Sequence, residues 1–430
     1  MSIMDPDPAS SPLASASSAD ALNRSCFCRT LNPQRLSQQL ARDPTRPHLF
    51  SSTAVFLSPE MAQKISATVR ACEGVMALPG YRLQALARAP TIAQHAFGPL
   101  GACMGFDFHL GASGPQLIEI NTNAGGILLN LALARAQESC CAEMDRALPP
   151  RPSTDSLEQA VFGMFKTEWR YQRGDVPLNS ILIVDDDPER QYLAPEFELF
   201  RQLFQRFGVA AGIADPSALT WREGKLWRRD QVVEMVYNRL TDFYLAEPKH
   251  QALRHAYEAG AVVLTPHPRA HALHADKRNM IALSQDELLA SWGASAQDRR
   301  LLAAAVPKTR LVTAERADQL WAQRRQLFFK PVAGFGGKAA YRGDKLTRRV
   351  WAEILAGDFV AQALVPPGAR AIEVDGVPTD LKFDLRAYSY AGRVQLLAAR
   401  MYSGQTTNFR TLGGGFAPVI VLPPAEQQKA

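Results

Sequence analysis

Apolar positions along the 430 residues switch between a helical period and strict alternation, and each switch marks an element. Ser58-Pro59-Glu60 reads as a helix start, with Ser as cap and Pro in the first turn; apolar residues at helical intervals from Met61 to Val75 carry that helix to about Leu78. Two strands are expected at 104–110 and 116–121, joined by Gly111-Ala112-Ser113-Gly114. Strand side chains alternate, so Asp107 and His109 share one face of the first, and Glu119 and Asn121 share one face of the second. A helix is expected over 126–147, closed by Pro149-Pro150-Arg151-Pro152.

From Asn179 the pattern is different. A short apolar run at 180–184 ends in Asp185-Asp186-Asp187, a helix is expected over 189–207, and further strands at 209–214, 232–237 and 261–266. A hairpin sits around Arg222-Glu223-Gly224-Lys225, and a helix spans 248–259. Strands and helices alternating at these lengths predict an open, mostly parallel α/β sheet. From about Ala303 the pattern turns α+β. A strand at 327–332 enters a glycine-rich loop with a partner strand near 338–341, then come helix 348–356 and strand 359–365. Strands at 371–374, 381–390 and 394–401 follow.

Composition narrows the function classes. A net charge of +6, with no basic block five or six residues long, argues against a nucleic-acid partner. No apolar run approaches the ~20 residues needed to span a bilayer. Residues 1–23 are rich in Ser, Ala, Pro and Asp and lack the features of a secretory signal; they are expected to form a disordered tail, and the expected compartment is the cytoplasm. All six cysteines precede residue 142, but their spacing forms no zinc module, so they read as reduced thiols. His267, His271 and His274 lie close in sequence without a spaced fourth ligand.

The candidate chemistry lies in separated segments. Gly334, Gly336 and Gly337, with Phe335 and Lys338 between and after them, form a loop between two strands. Such a loop lets backbone N–H groups approach phosphate oxygens unobstructed, and Lys330 points a cation the same way. Asp276-Lys277-Arg278 offers a second cation. The strand end of 359–365, before Pro366-Pro367-Gly368, provides an apolar slot with backbone donors and acceptors, as a nucleotide base requires. Asp384-Leu385-Arg386 and Arg400 fall on adjacent expected strands; an acid with two arginines suits metal-bridged phosphates. Asp384 with Glu119 and Asn121 would supply the hard oxygen ligands that Mg²⁺ prefers, and Asn408 would add a contact to phosphate or metal. In most enzymes that pair these motifs the glycine loop precedes the Glu-x-Asn; here the order is inverted.

Together Lys330-Pro-x-x-Gly-x-Gly-Gly, Gln362, Asp384-x-Arg386, Arg400, Asn408 and Glu119-x-Asn121 resemble the ATP-grasp carboxylate–amine ligases. Residues 236–243 with Ala275-Asp276-Lys277 resemble the pre-ATP-grasp region of the circularly permuted branch, which is similar to glutathionylspermidine synthetases and eukaryotic-type glutathione synthetases. The resemblance implies a mixed α/β and α+β chain. It would comprise a permuted part of the large lobe at 24–150, a pre-ATP-grasp α/β domain at 151–300, a small lobe with its lid at 301–366 and large-lobe strands at 367–430. It implies ATP and two Mg²⁺ ions held by Asp384, Glu119 and Asn121. Lys277 and Lys330 would hold the α- and β-phosphates, and the 334–338 loop the β- and γ-phosphates. Gln362, Ala363 and Leu364 would receive adenine, and Arg386 and Arg400 the transferring phosphoryl group. The implied reaction joins small-molecule carboxylate and amine substrates through an acyl phosphate; a homodimer is one open option. A nucleotide-binding scaffold without turnover and a carboxylate kinase are the alternatives. Lys338-Ala339 departs from the family pattern, and no attached amidase domain is expected, so the substrates stay open.

Overall fold

The computed structural model describes residues 12–40, 46, 48–111, 113–139, 154–334 and 339–423. Strands are numbered in chain order: β1 (Val55–Leu57), β2 (Met104–Gly111), β3 (Gly114–Asn121), β4 (Ser180–Val184), β5 (Ala210–Ala214), β6 (Leu219–Arg222), β7 (Lys225–Arg228), β8 (Gln231–Val232) and β9 (Met235–Asn238). They continue as β10 (Val263–Thr265), β11 (Thr309–Leu311), β12 (Leu327–Pro331), β13 (Tyr341–Arg342), β14 (Phe359–Ala363), β15 (Gly368–Val374), β16 (Val377–Tyr390), β17 (Arg393–Tyr402) and β18 (Gly415–Val421).

The large sheet runs β1-β18-β17-β16-β2-β3, with β15 paired to β16, so strands from both ends of the chain lie side by side. Alternation explains its two faces. Phe106, Phe108, Leu117, Ile120, Leu385, Ala387, Ala399 and Met401 point into one core, against Ile65, Val69, Cys72 and Val75 of the helix Pro59–Met76. Ser58 caps that helix by accepting from the Met61 N–H, as its sequence predicts. The intervening residues face the other way and carry the charges described below.

The expected parallel sheet is present in the order β10-β9-β4-β5. Phe165, Phe200, Phe204 and Tyr237 pack there in the same cluster as Tyr388, Tyr390 and Ala398 of the large sheet. A third, antiparallel sheet, β11-β14-β12-β13, has its own core of Phe329, Trp351, Ile354 and Phe359. No described helix is long and apolar enough to cross a membrane.

Three expectations are corrected, and one strand was not foreseen. Pro12–Ser25 is helical rather than disordered, and Asn23 is fixed by two hydrogen bonds of 2.9 Å with the Phe56 backbone; residues 1–11 lie outside the described residues. Of the helix expected over 126–147, Ile127–Arg135 is helical and 136–139 is not, while 140–147 lie outside the described residues. The helix stops because the segment after Arg135 joins the N-terminal chain, with Asn32 N–H bonded to Ala136 O and Glu138 N–H to Thr30 O. The helix expected from 189 begins at Ala194, since Pro195 fits only a first turn. Strand β18 escapes the sequence pattern because two glycines precede it, a third opens it and Pro418 interrupts it.

One turn fixes how the sheets meet. Gly126, at φ +108°, precedes the helix Ile127–Arg135, whose first N–H groups are capped by the buried carboxylate of Glu196, at 2.7 Å from Gly126 N and 3.1 Å from Leu128 N. A Cβ at position 126 would lie 2.4 Å from Phe416 Cζ and 2.6 Å from the Tyr388 hydroxyl. Gly126→Ala is therefore expected to lower stability by about 2–4 kcal/mol, from backbone strain and overpacking together. Denaturant titration measures this, and an unshifted midpoint would contradict it.

Candidate active site

The charged face of the large sheet is built by register. Glu119 on β3 is opposite Asp107 on β2, Asp107 is opposite Arg386 on β16, and Asp384 on β16 is opposite Arg400 on β17. Strict alternation would put Glu119 on the same face as Leu117, which is fully buried in the core. A bulge at Ile118 resolves the conflict: Leu117 pairs with Phe108 and Glu119 with Asp107, so Glu119 and Asn121 turn to the charged face. Adjacent strands lie about 4.8 Å apart, so β3 and β16 are separated laterally by about 10 Å with β2 between them. The early Glu-x-Asn and the late Asp-x-Arg thus occupy one surface.

Asp107 is the hub. Its two oxygens accept from Arg386 Nε and Nη2, each at 2.7 Å, and Oδ2 also accepts from Arg400 Nη2 at 2.8 Å and Asn121 Nδ2 at 3.1 Å. Burial opposes its ionisation, but the two guanidinium groups win and hold the carboxyl down at about 2. Asp384, fully buried, accepts from Arg400 Nε at 2.7 Å and from the Thr407 hydroxyl. The two arginines thus stand at the site as counter-ions to two carboxylates. Glu119 is half-buried and accepts no hydrogen bond from the described residues, leaving its carboxylate open.

Across a narrow cleft lies the small antiparallel sheet. Lys330 on β12 donates to Ile118 O at 2.6 Å and to Gln362 Oε1 at 2.9 Å, linking β12, β14 and the bulge in β3. Burial pushes its ammonium down to about 8, with Glu119 opposing. Lys277 donates to Gly334 O at 2.7 Å and so holds the first residue of the glycine loop. Glu119, Lys277, Lys330 and Gln362 line one pocket, with Ile118, Met280 and Val360 as its apolar wall. An ammonium has three donors, so both lysines retain capacity for an anion.

Other expected site residues have contacts of their own or lie outside the described residues. Asn408 closes its own loop: Nδ2 donates to Ser403 O and Thr406 O, while Oδ1 accepts from Arg410 N and Thr411 Oγ1. The neighbouring Thr407 reaches Asp384 instead. The N–H groups of Ala363 and Leu364 donate to Lys308 O and Gln326 O at 2.8 Å, because β14 has neighbours on both edges. Phe335, Gly336, Gly337 and Lys338 lie outside the described residues, as do Cys140 and Cys141. His267, His271 and His274 do not converge: His267 bonds Pro99 O, His271 stacks on Phe243 and His274 bonds Ala270 O. Asp186, Glu247 and His250 lie within ligand distance of one another, but His250 bridges Asp186 and Asp242, and Lys249 neutralises Asp186 and Glu247. That cluster is an ion-pair network. Sequence reasoning put Asp107 on the correct face yet gave it no role, and Thr407 carried no signal.

Neither a protein-family model nor a curated protein matches the sequence. The chain is similar to the solved structure of a glutathione synthetase-like effector from Globodera pallida in its apo form, with 12% identity and a TM-score of 0.55, over 87% of this chain and 90% of that one. It is also similar to a candidate gamma-glutamylcysteine synthetase from Methylobacillus flagellatus KT (10% identity, TM-score 0.45, 86% of each chain). A third structure is the ATP-grasp ligase PsnB with a minimal precursor (16% identity, TM-score 0.30, 54% of this chain and 78% of that one). Likeness at such identities is one of fold. The chain therefore shares the fold of the glutathione synthetase-like effector.

Proposed function

We propose that the protein is an ATP- and Mg²⁺-dependent ligase that joins a carboxylate to an amine through an acyl phosphate, with the ATP-grasp lobes in permuted order. The supporting observation is the placement of Glu119, Asp107, Asp384 and Arg386 on one sheet face, opposite Lys330, Lys277 and Gln362 on one pocket wall. Under this reading 24–150 and 367–430 together form the large lobe and 301–366 the small lobe.

The donor set suits a hard cation. Glu119 presents an open carboxylate, Asn121 spends its Nδ2 on Asp107 and keeps its Oδ1, and each Asp384 oxygen retains a lone pair beyond its one hydrogen bond. These three residues would hold Mg²⁺, which supplies charge neutralisation on the phosphates when bound. Lys330 and Lys277 bind phosphate oxygens, and the apolar wall of Ile118, Met280 and Val360 suits a base. The substrate carboxylate attacks the γ-phosphorus, ADP leaves, and the amine then displaces phosphate from the acyl carbon. Orientation and charge stabilisation supply most of the acceleration in such a transfer.

The test is ADP release from Mg-ATP with pooled amino acids and amines, followed by mass spectrometry of the product. Hydroxylamine without amine reveals the acyl phosphate that a ligase and a carboxylate kinase both form, and adding the amine separates them, since only the ligase then gives amide. ADP formation by no member of the pool would overturn the proposal.

The low position of Lys330 has a pH consequence. Its proton is needed to bind phosphate, and in the free protein it leaves near pH 8, so nucleotide affinity is expected to fall by up to about tenfold per pH unit above that point. Calorimetric titration from neutral pH upward checks this. Lys330→Arg, which keeps its charge, should flatten the profile, and a wild-type profile flat through pH 8 would refute the assignment.

A further inference from the structure

The ligase reading leaves one chemical requirement unfilled: the attacking amine becomes cationic as its C–N bond forms, and its proton needs an acceptor. We propose that Nε2 of His109 is that acceptor, a role resting on the ligase reading. Phe106 and Phe108 are fully buried in the core, which turns His109 onto the charged face beside Asp107. His109 Nδ1 lies 2.8 Å from the carbonyl oxygen of Val365, two residues beyond the end of β14. A carbonyl can only accept, so Nδ1 carries the hydrogen and Nε2 is left as the bare acceptor.

Among the described residues nothing hydrogen-bonds Nε2. The charged groups that act on the ring come from three strands: Asp384 on β16, Lys330 on β12 and Arg400 on β17. His109 is thus in electrostatic range of both the phosphate-directed lysine and the metal-directed aspartate, the two groups that would bracket an acyl phosphate. Burial, aided by Lys330 and Arg400 and opposed by Asp384, favours the neutral ring that a proton acceptor requires. The hydrogen bond to Val365 fixes the ring at the junction of the two lobes.

The step balances without a further reactant. The lone pair of the neutral amine forms the C–N bond at the acyl carbon, the bond from that carbon to the phosphate oxygen breaks, and phosphate leaves with the electron pair. The proton on the new nitrogen passes to Nε2 and from there to water.

Hydroxylamine tests this because it is a weakly basic nucleophile that is neutral at pH 7 and attacks acyl phosphates without assistance. Full-length wild type and His109→Gln are supplied with Mg-ATP and pooled standard amino acids, and hydroxamate and amide products are measured separately. Hydroxamate is expected to form near the wild-type rate in the variant while amide falls by about 10²-fold, with partial recovery on adding imidazole. Equal loss of both products, or loss of neither, overturns the assignment alone. Absence of hydroxamate from the wild type overturns the ligase reading and the assignment with it.

Discussion

Replacing Asp107 by asparagine is expected to lower stability by about 3–5 kcal/mol, the largest structural effect of any single change at the site. Two arginines and two aspartates share this buried surface, and Asp107 is 2% exposed. Its carboxylate takes three hydrogen bonds of 2.7–2.8 Å from Arg386 and Arg400. Asparagine keeps the shape and one acceptor but leaves two guanidinium groups against Asp384 alone, an uncompensated buried charge. The expected pH dependence carries a sign. Folding lowers the Asp107 carboxyl to about 2, below the roughly 3.9 of an unfolded aspartate, so its contribution is complete at neutral pH and is lost as pH falls from about 4 through 2. Denaturant midpoints for both proteins should differ at pH 7 and converge in acid. Equal midpoints at pH 7 would contradict the ion-pair account.

The alternating strands at 104–110 and 116–121 were legible because each places large apolar groups at every second position over most of its length. The parallel sheet at 180–266 was legible for a different reason, its short apolar runs spaced by helices of suitable length. What the pattern could not carry were features set by contacts distant in sequence. The bulge at Ile118 is one: periodicity alone puts Leu117 and Glu119 on one face, and only the register against Phe108 and Asp107 separates them. The role of Asp107 is another, since its partners lie 279 and 293 residues away. The same holds for Ala363 and Leu364, whose N–H groups are free in a strand edge and occupied once β14 has neighbours on both sides. Asn408 illustrates the converse. An asparagine in a glycine-rich stretch can reach a ligand or bond its own turn, and only the fold decides.

Glu119→Gln is expected to separate function from stability in the opposite sense to Asp107→Asn. The Glu119 carboxylate is half-buried and takes no hydrogen bond from the described residues, so its loss should shift stability by no more than about 0.5 kcal/mol. Under the proposed metal role, its loss should slow Mg-ATP turnover by about 10²–10³-fold, with partial recovery at high Mg²⁺. A second signature follows from Lys330. Glu119 raises the ammonium against the burial that lowers it, so removing the charge should move the pH at which nucleotide affinity falls to below about 8. Turnover assays across Mg²⁺ concentration and calorimetric titration across pH read the two effects independently. Wild-type turnover in Glu119→Gln would remove the metal assignment, while lost turnover with an unmoved pH profile would separate Glu119 from Lys330. The two substitutions lie opposite each other on neighbouring strands. Asp107 holds the charged face together, whereas Glu119, which lines the pocket with Lys330, is the carboxylate proposed for the metal.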